Sequence, residues 1–110
     1  MSNVYLISSY INGEILYKIG MTKRSVEKRL KELKTGNAAD LAIVNIFESK
    51  WASKIEANLH IRYASLNVGG GEWFSLDENE VANFLNNCKL IHDNFEIIFK
   101  TNTYYSHIIL

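Results

Sequence analysis

The chain contains no proline and one cysteine, Cys88. Turn signals therefore fall to glycine and asparagine. A single cysteine excludes an intrachain disulfide and a four-cysteine zinc site, and it points to a reducing compartment. No apolar run reaches the length of a membrane span. The first residues, MSNVYLISSYINGE, lack the basic start and long apolar stretch of a signal peptide. A soluble, cytoplasmic protein is expected. There is no repeat, low-complexity tract or linker, and no zinc finger, helix-turn-helix or basic tail. Formal net charge is zero, so no global field favours one kind of partner.

What is present fits one domain over residues 1–110, with 47% hydrophobic residues to form a core. The neutral average hides an asymmetry. Between Lys18 and Lys34 stand seven cations against two acids, Glu27 and Glu32, while acids outnumber cations after Leu76. Such a stretch suits an anion-binding face, although a solvated helix face reads the same way.

Val4 to Tyr10 and Glu14 to Ile19 read as strands joined by an Asn12-Gly13 hairpin turn. Ser25 is a candidate N-cap, and Val26, Leu30 and Leu33 share one helical face until Gly36-Asn37 stops the helix. Leu41 to Glu48 is apolar enough for a central strand. Trp51 to Tyr63 is helical, with Ala52, Ile55, Leu59 and Tyr63 in one stripe. NVGGG (residues 67–71) is a flexible loop, and EWFSL (72–76) a short extended piece whose Trp73 and Phe74 belong to the core. Asp77 to Asn87 reads as a helix capped by Ser75 or Asp77, with Val81, Phe84 and Leu85 facing inward. The tail from Phe95 reads as one or two strands. The order β-β-α-β-α-β-α-β predicts an α+β domain with a small, mainly antiparallel β-sheet flanked by helices.

Some polar residues sit where plain amphipathicity does not place them. On the helical wheel Arg29 lies about 60° from Val26, at the margin of the apolar stripe. A guanidinium there can grip a phosphate with two bonds, or it can simply pack its stem and solvate its head. Lys28 and Lys31 project away from the stripe, and with Lys23 and Arg24 just before the helix they are the candidates for contacts to backbone phosphates. Glu56 and His60 are helical neighbours at i, i+4. They suit a divalent cation and a proton carrier, or a plain surface pair. Lys18 interrupts the apolar strand ILYKIG and lies on the opposite face from Tyr17. Tyr5 lies on the facing arm. Glu72 has no assigned part, and Cys88, His92 and His107 show no ligand spacing.

Taken in order, these pieces resemble the GIY-YIG nuclease superfamily, in particular its compact branch from phages, viruses and microbes. The resemblance covers residues 3–76. Asn3-Val4-Tyr5 stands at the first signature and Lys18-Ile19-Gly20 at the second. Arg29 follows on the next helix, ASKIEANLHIRYA carries Glu56 and His60, and GGEWFSL is similar to the closing motif. The glycine of the first signature is absent. Lys18 stands in place of the second tyrosine, as is common in the compact branch, and Tyr17 is one residue out of register.

The resemblance implies a DNA endonuclease hydrolysing phosphodiester bonds with one divalent ion, Mg²⁺ (or Mn²⁺), on Glu56. Tyr5, helped by Lys18, would take a proton from the attacking water, and Arg29 would stabilise the phosphoryl transition state. His60 would assist with a proton or orient Tyr5. The location would be a host-cell compartment if the chain is viral. The alternatives are a GIY-YIG-like module that binds nucleic acid without cutting, or a plain protein-interaction domain. The terminal SHIIL segment would be either a strand buried in its own sheet or the edge of a homodimer.

Overall fold

A computed structural model describes residues 1–35 and 40–101. β1 (Ser2–Ile11) and β2 (Glu14–Thr22) form a long antiparallel hairpin. Its turn places Asn12 at φ 50° and Gly13 at φ 83°. Positive φ at both central residues matches the right-handed twist of the strands, which is why Asn-Gly is favoured there. α1 (Val26–Thr35) follows, and the Ser25 hydroxyl accepts the Lys28 N–H at 3.2 Å, capping its first turn. The expected stop at Gly36-Asn37 lies outside the described residues.

β3 (Leu41–Ser49) pairs antiparallel with β1, with an irregularity in register between Leu6 and Ile7. β4 (Trp73–Phe74) pairs antiparallel with β2. The strand order is β3-β1-β2-β4, so the four-stranded sheet is antiparallel throughout and the expected α+β class holds. β3 is an edge strand, not a central one. The apolar hairpin strands take the middle, and the Ile46 side chain of β3 is left exposed.

Alternation along the hairpin divides the core between two faces. Val4, Leu6 and Ile19 pack with Ile55 and Leu59 of α2 (Ala52–Arg62). Tyr5 and Ile7 pack on the other face with Val26 and Leu41, flanked by Leu30, Leu33 and Trp73. The stripes predicted for α1 and α2 are therefore the buried ones. A short 3₁₀ turn (Ala64–Leu66) leads into the glycine loop and β4.

α3 (Glu78–Ala82) and α4 (Phe84–Thr101) correct the reading of the C-terminal third. Asp77 caps α3 by accepting the Glu80 N–H at 2.9 Å, and the Glu80 carboxylate accepts the Asp77 N–H at 3.4 Å. The expected helix breaks at Asn83, and a longer one begins. Residues 95–101 are helical, not a strand. The reason is tertiary: Phe95 and Phe99, one turn apart, lie against Trp51 with ring centroids 5.8 and 4.6 Å away. The β-branched composition of FEIIF is outweighed by that aromatic packing. Phe84 is buried as expected, but Leu85 is exposed. The SHIIL segment and His107 lie outside the described residues, and with them the homodimer reading. Among the described residues no helix is long and apolar enough to cross a membrane.

Candidate functional site

β4 pairs with β2 only at Tyr17 and Lys18, so the outer edge of β2 is open from Ile19 onward. Its peptide groups still require partners. The Ile19 N–H donates to the Glu72 carbonyl at 3.1 Å. The Ile19 carbonyl accepts from His60 Nε2 at 2.9 Å. The Met21 N–H donates to the Glu56 carboxylate. Side chains of α2 thus complete the strand edge where β4 stops, and this holds Glu56 and His60 in place.

Glu72 reaches the same point from the glycine loop. Gly69 and Gly70 adopt φ of 77° and 79°, a conformation costly for a residue with a Cβ. Asn67 holds the loop: its side chain donates to the Gly71 carbonyl at 2.6 Å and accepts the Gly70 N–H at 2.8 Å. The segment expected to be flexible is therefore cross-braced. Glu56, His60 and Glu72, all half-buried, offer three ligand atoms within 4.8 Å of one another. Burial, followed by the nearby Glu72 carboxylate, pushes the Glu56 carboxyl above the ordinary carboxylate range.

Lys18 is buried on the β2 strand, and its ammonium bonds Glu72 Oε2 at 2.6 Å. It also lies 5.8 Å from the centre of the Trp73 ring. A buried ammonium needs an acidic partner, and here Glu72 supplies it. The only sequence signal for Glu72 was that requirement, because nothing in GGEWF identifies its partner.

On the face covered by α1, Tyr5 lies across from Gly20. A Cβ added at Gly20 would collide with the Tyr5 hydroxyl and ring. The glycine is thus needed for close approach of the phenol to the strand. The sequence does not disclose that role, because the strand expected to stop at Ile19 instead runs through Gly20 to Thr22. The Tyr5 hydroxyl hydrogen-bonds the Arg29 guanidinium. That bond is the first cause, ahead of the bond to Glu32, that raises the Arg29 pKa above its ordinary value. Tyr17 points to the opposite face, packed against the α2 cluster, as its register requires.

Gly20 is the centre of the arrangement. Tyr5 lies over it, while the residue before it is bound by His60 and the residue after it by Glu56. The five residues Tyr5, Lys18, Arg29, Glu56 and His60 are therefore held around one end of β2, with Glu72 as a sixth. Lys23, Arg24 and Lys28 are exposed around the start of α1, and Lys31 is exposed on it. Glu32 pairs with Arg24 at 2.5 Å and with Arg29 at 3.2 Å, so part of the cationic surface already has an acidic partner. Surface pairs of this kind contribute little to stability and exchange readily for other anions.

Cys88 and His92, set aside earlier, are structural. Cys88 is fully buried, and burial pushes its thiol up to about 12. His92 Nδ1 bonds the Ser49 hydroxyl at 2.7 Å, beneath the start of α2.

A family model described as the T5orf172 domain matches residues 3–97. No curated protein and no solved structure matches the chain. The matched span takes in both faces of the sheet, every side chain gathered around Gly20 and most of α4, and the chain belongs to the T5orf172 domain family.

Proposed function

We propose that the protein is a metal-dependent DNA endonuclease of the GIY-YIG type. The observation that carries this reading is the convergence on Gly20 of a hydroxyl and guanidinium from one face with two carboxylates and an imidazole from the strand edge. Membership of the T5orf172 family is compatible with a nuclease-like or DNA-binding role.

The donor set fits a divalent cation: two carboxylates within reach of each other, one of them with a raised pKa, form a site short of positive charge. Glu56 would hold Mg²⁺ or Mn²⁺ there. When bound, such an ion polarises a phosphoryl oxygen and eases departure of the leaving group. Arg29, exchanging Glu32 for substrate, grips the phosphate and offsets the charge that gathers on its oxygens in the transition state. Tyr5, oriented by Arg29 and by the bare Gly20 backbone, would act as general base in its phenolate form, taking one proton from the attacking water to become the phenol. Lys18, two residues before Gly20 and on the same face of β2 by alternation, would supply positive charge on that side of the sheet. His60 keeps its ring fixed on the Ile19 carbonyl through Nε2, which leaves Nδ1 for one role, accepting a proton or ligating the ion. Lys23, Arg24, Lys28 and Lys31 draw the DNA backbone across the mouth of the site.

Cleavage of supercoiled and branched DNA, with Mg²⁺, Mn²⁺ or chelator, tests the reading. Metal-dependent nicking should be lost in Glu56→Gln and Arg29→Ala. Salt-sensitive binding without cleavage under every metal would instead support a nucleic-acid-binding module, which the exposed cations of α1 also suit.

A further inference from the structure

We propose that the divalent-ion site has three protein ligands, Glu56, Nδ1 of His60 and Glu72, and that Lys18 and the metal compete for Glu72. This deepens the nuclease reading and rests on it for the catalytic meaning of the site, although not for metal binding itself. The spacing comes first. Ligand atoms bound to one ion at about 2.0–2.3 Å lie up to roughly 4.5 Å apart, and here one ring nitrogen of His60 and one carboxylate oxygen from each of Glu56 and Glu72 fall within 4.8 Å of one another. Small side-chain adjustments close that difference.

The imidazole provides a second, independent argument. Nε2 faces the Ile19 carbonyl at 2.9 Å, and a carbonyl only accepts, so Nε2 carries the proton. In the neutral ring the lone pair is then on Nδ1. Donation from one ring nitrogen to a backbone carbonyl, with the other nitrogen left to coordinate, is the usual arrangement of a metal-ligating histidine. His60 is a poor candidate for a surface partner of Glu56, since its ring is already fixed by that carbonyl and stands edge-on to Phe74, centroids 5.0 Å apart.

Charge completes the argument. Two carboxylates meet one ammonium, which leaves one negative charge unbalanced. The Lys18 ammonium, 2.6 Å from Glu72 Oε2, occupies ground that a cation would take. A divalent ion either displaces it or shares Glu72 with it, and in both cases the two cations repel. Lys18 is thus a built-in competitor. Metal arrival loosens its hold on Glu72 and makes its ammonium available to the face where Tyr5 and Arg29 lie. The braced Asn67 loop keeps the Glu72 backbone in place during that exchange. A set of two oxygens and one imidazole nitrogen favours Mn²⁺ over Mg²⁺, which prefers oxygen ligands alone.

The test is Mn²⁺ titration of the whole chain, with free ion read by electron paramagnetic resonance, and Mg²⁺ added as competitor. Wild type should bind one ion. Glu72→Gln and His60→Ala should each weaken binding by about tenfold or more, and Lys18→Met should tighten it several-fold. Wild-type affinity in Glu72→Gln, or no tightening in Lys18→Met, overturns the proposal. A wild-type measurement guards against misfolded variants: with Zn²⁺ as probe, the ¹⁵N resonance of His60 Nδ1 should move while Nε2 keeps its proton. An unmoved Nδ1 also sinks the proposal. Cleavage that persists alongside wild-type metal affinity in Glu72→Gln would defeat this inference and leave the nuclease reading intact. Three-ligand binding without cleavage of any DNA would do the reverse.

Discussion

Two helices each carry a glutamate and a histidine one turn apart, and the two pairs have opposite electrostatics. On α4, Glu96 is surrounded by donors. Lys50 Nζ and Trp51 Nε1 each lie 3.2 Å from its Oε1, and Lys100 lies 3.7 Å from Oε2. The hydrogen bonds from Lys50 and Trp51 hold its carboxyl below the ordinary range. On α2, Glu56 is half-buried, faces a second carboxylate and is pushed the other way. The first pair is finished structure. The second is short of a positive charge, and such a deficit is common where a protein awaits a ligand. Local sequence does not distinguish the two; only the neighbours do.

Exchanging the roles of the two glutamates is the sharpest way to break that contrast. Glu56→Gln should lower metal-dependent cleavage by about 10²-fold or more, the scale of losing transition-state charge stabilisation, while Glu96→Gln should leave it unchanged. Equal losses in both would mean that the α2 pair is as structural as the α4 pair. Gly20→Ala should separate the pairs within one molecule. The added methyl meets the Tyr5 ring, a type of overpacking that costs about 1–3 kcal/mol, read by denaturant unfolding. Nuclear magnetic resonance should then show His60 perturbed and His92 unmoved.

Stability against pH contrasts them more gently. The folded-state pKa of Glu56 is raised, so its favourable contribution is present below the unfolded value of about 4.3 and is lost as pH rises through the folded value. Glu56→Gln should match wild type in acid and exceed it in melting temperature at neutral pH. Glu96 is lowered, so its contribution is present above the unfolded value and is lost as pH falls through the folded one. Glu96→Gln should therefore be less stable than wild type at neutral pH, with the gap closing in acid. Thermal melts across that range decide both signs. The smallest effect belongs to the outer cations: Lys28→Ala should reduce the slope of log affinity for DNA against log salt by about one and leave metal affinity alone.

Much of this was legible along the chain. Asn12-Gly13 specified its turn because few other pairs accept positive φ twice in succession. Ser25 and the Val26, Leu30, Leu33 stripe specified α1, and periodicity placed Arg29 beside that stripe and Glu56 with His60 on one side of α2. Those are local properties, set by the 3.6-residue repeat and by capping chemistry. The strand reading of FEIIF failed because β-branched composition is a weak signal, whereas the burial of Phe95 and Phe99 against Trp51 involves residues more than forty positions away. The central reading of β3 failed for a related reason, since strand order depends on pairing and not on hydrophobicity.

The sequence by itself determined which residues could carry charge into a core margin: Lys18, Arg29, Glu56 and His60, with Glu72 left unassigned. Tertiary structure alone decided their company. It joined Lys18 to Glu72 across 54 positions, set Arg29 on the Tyr5 hydroxyl, and brought two helix side chains to the strand edge that β4 leaves open. The physical reason is range. Helix phase and turn chemistry are fixed within a few residues, whereas the field at a carboxylate depends on every charge and peptide dipole that folding brings within several ångströms of it.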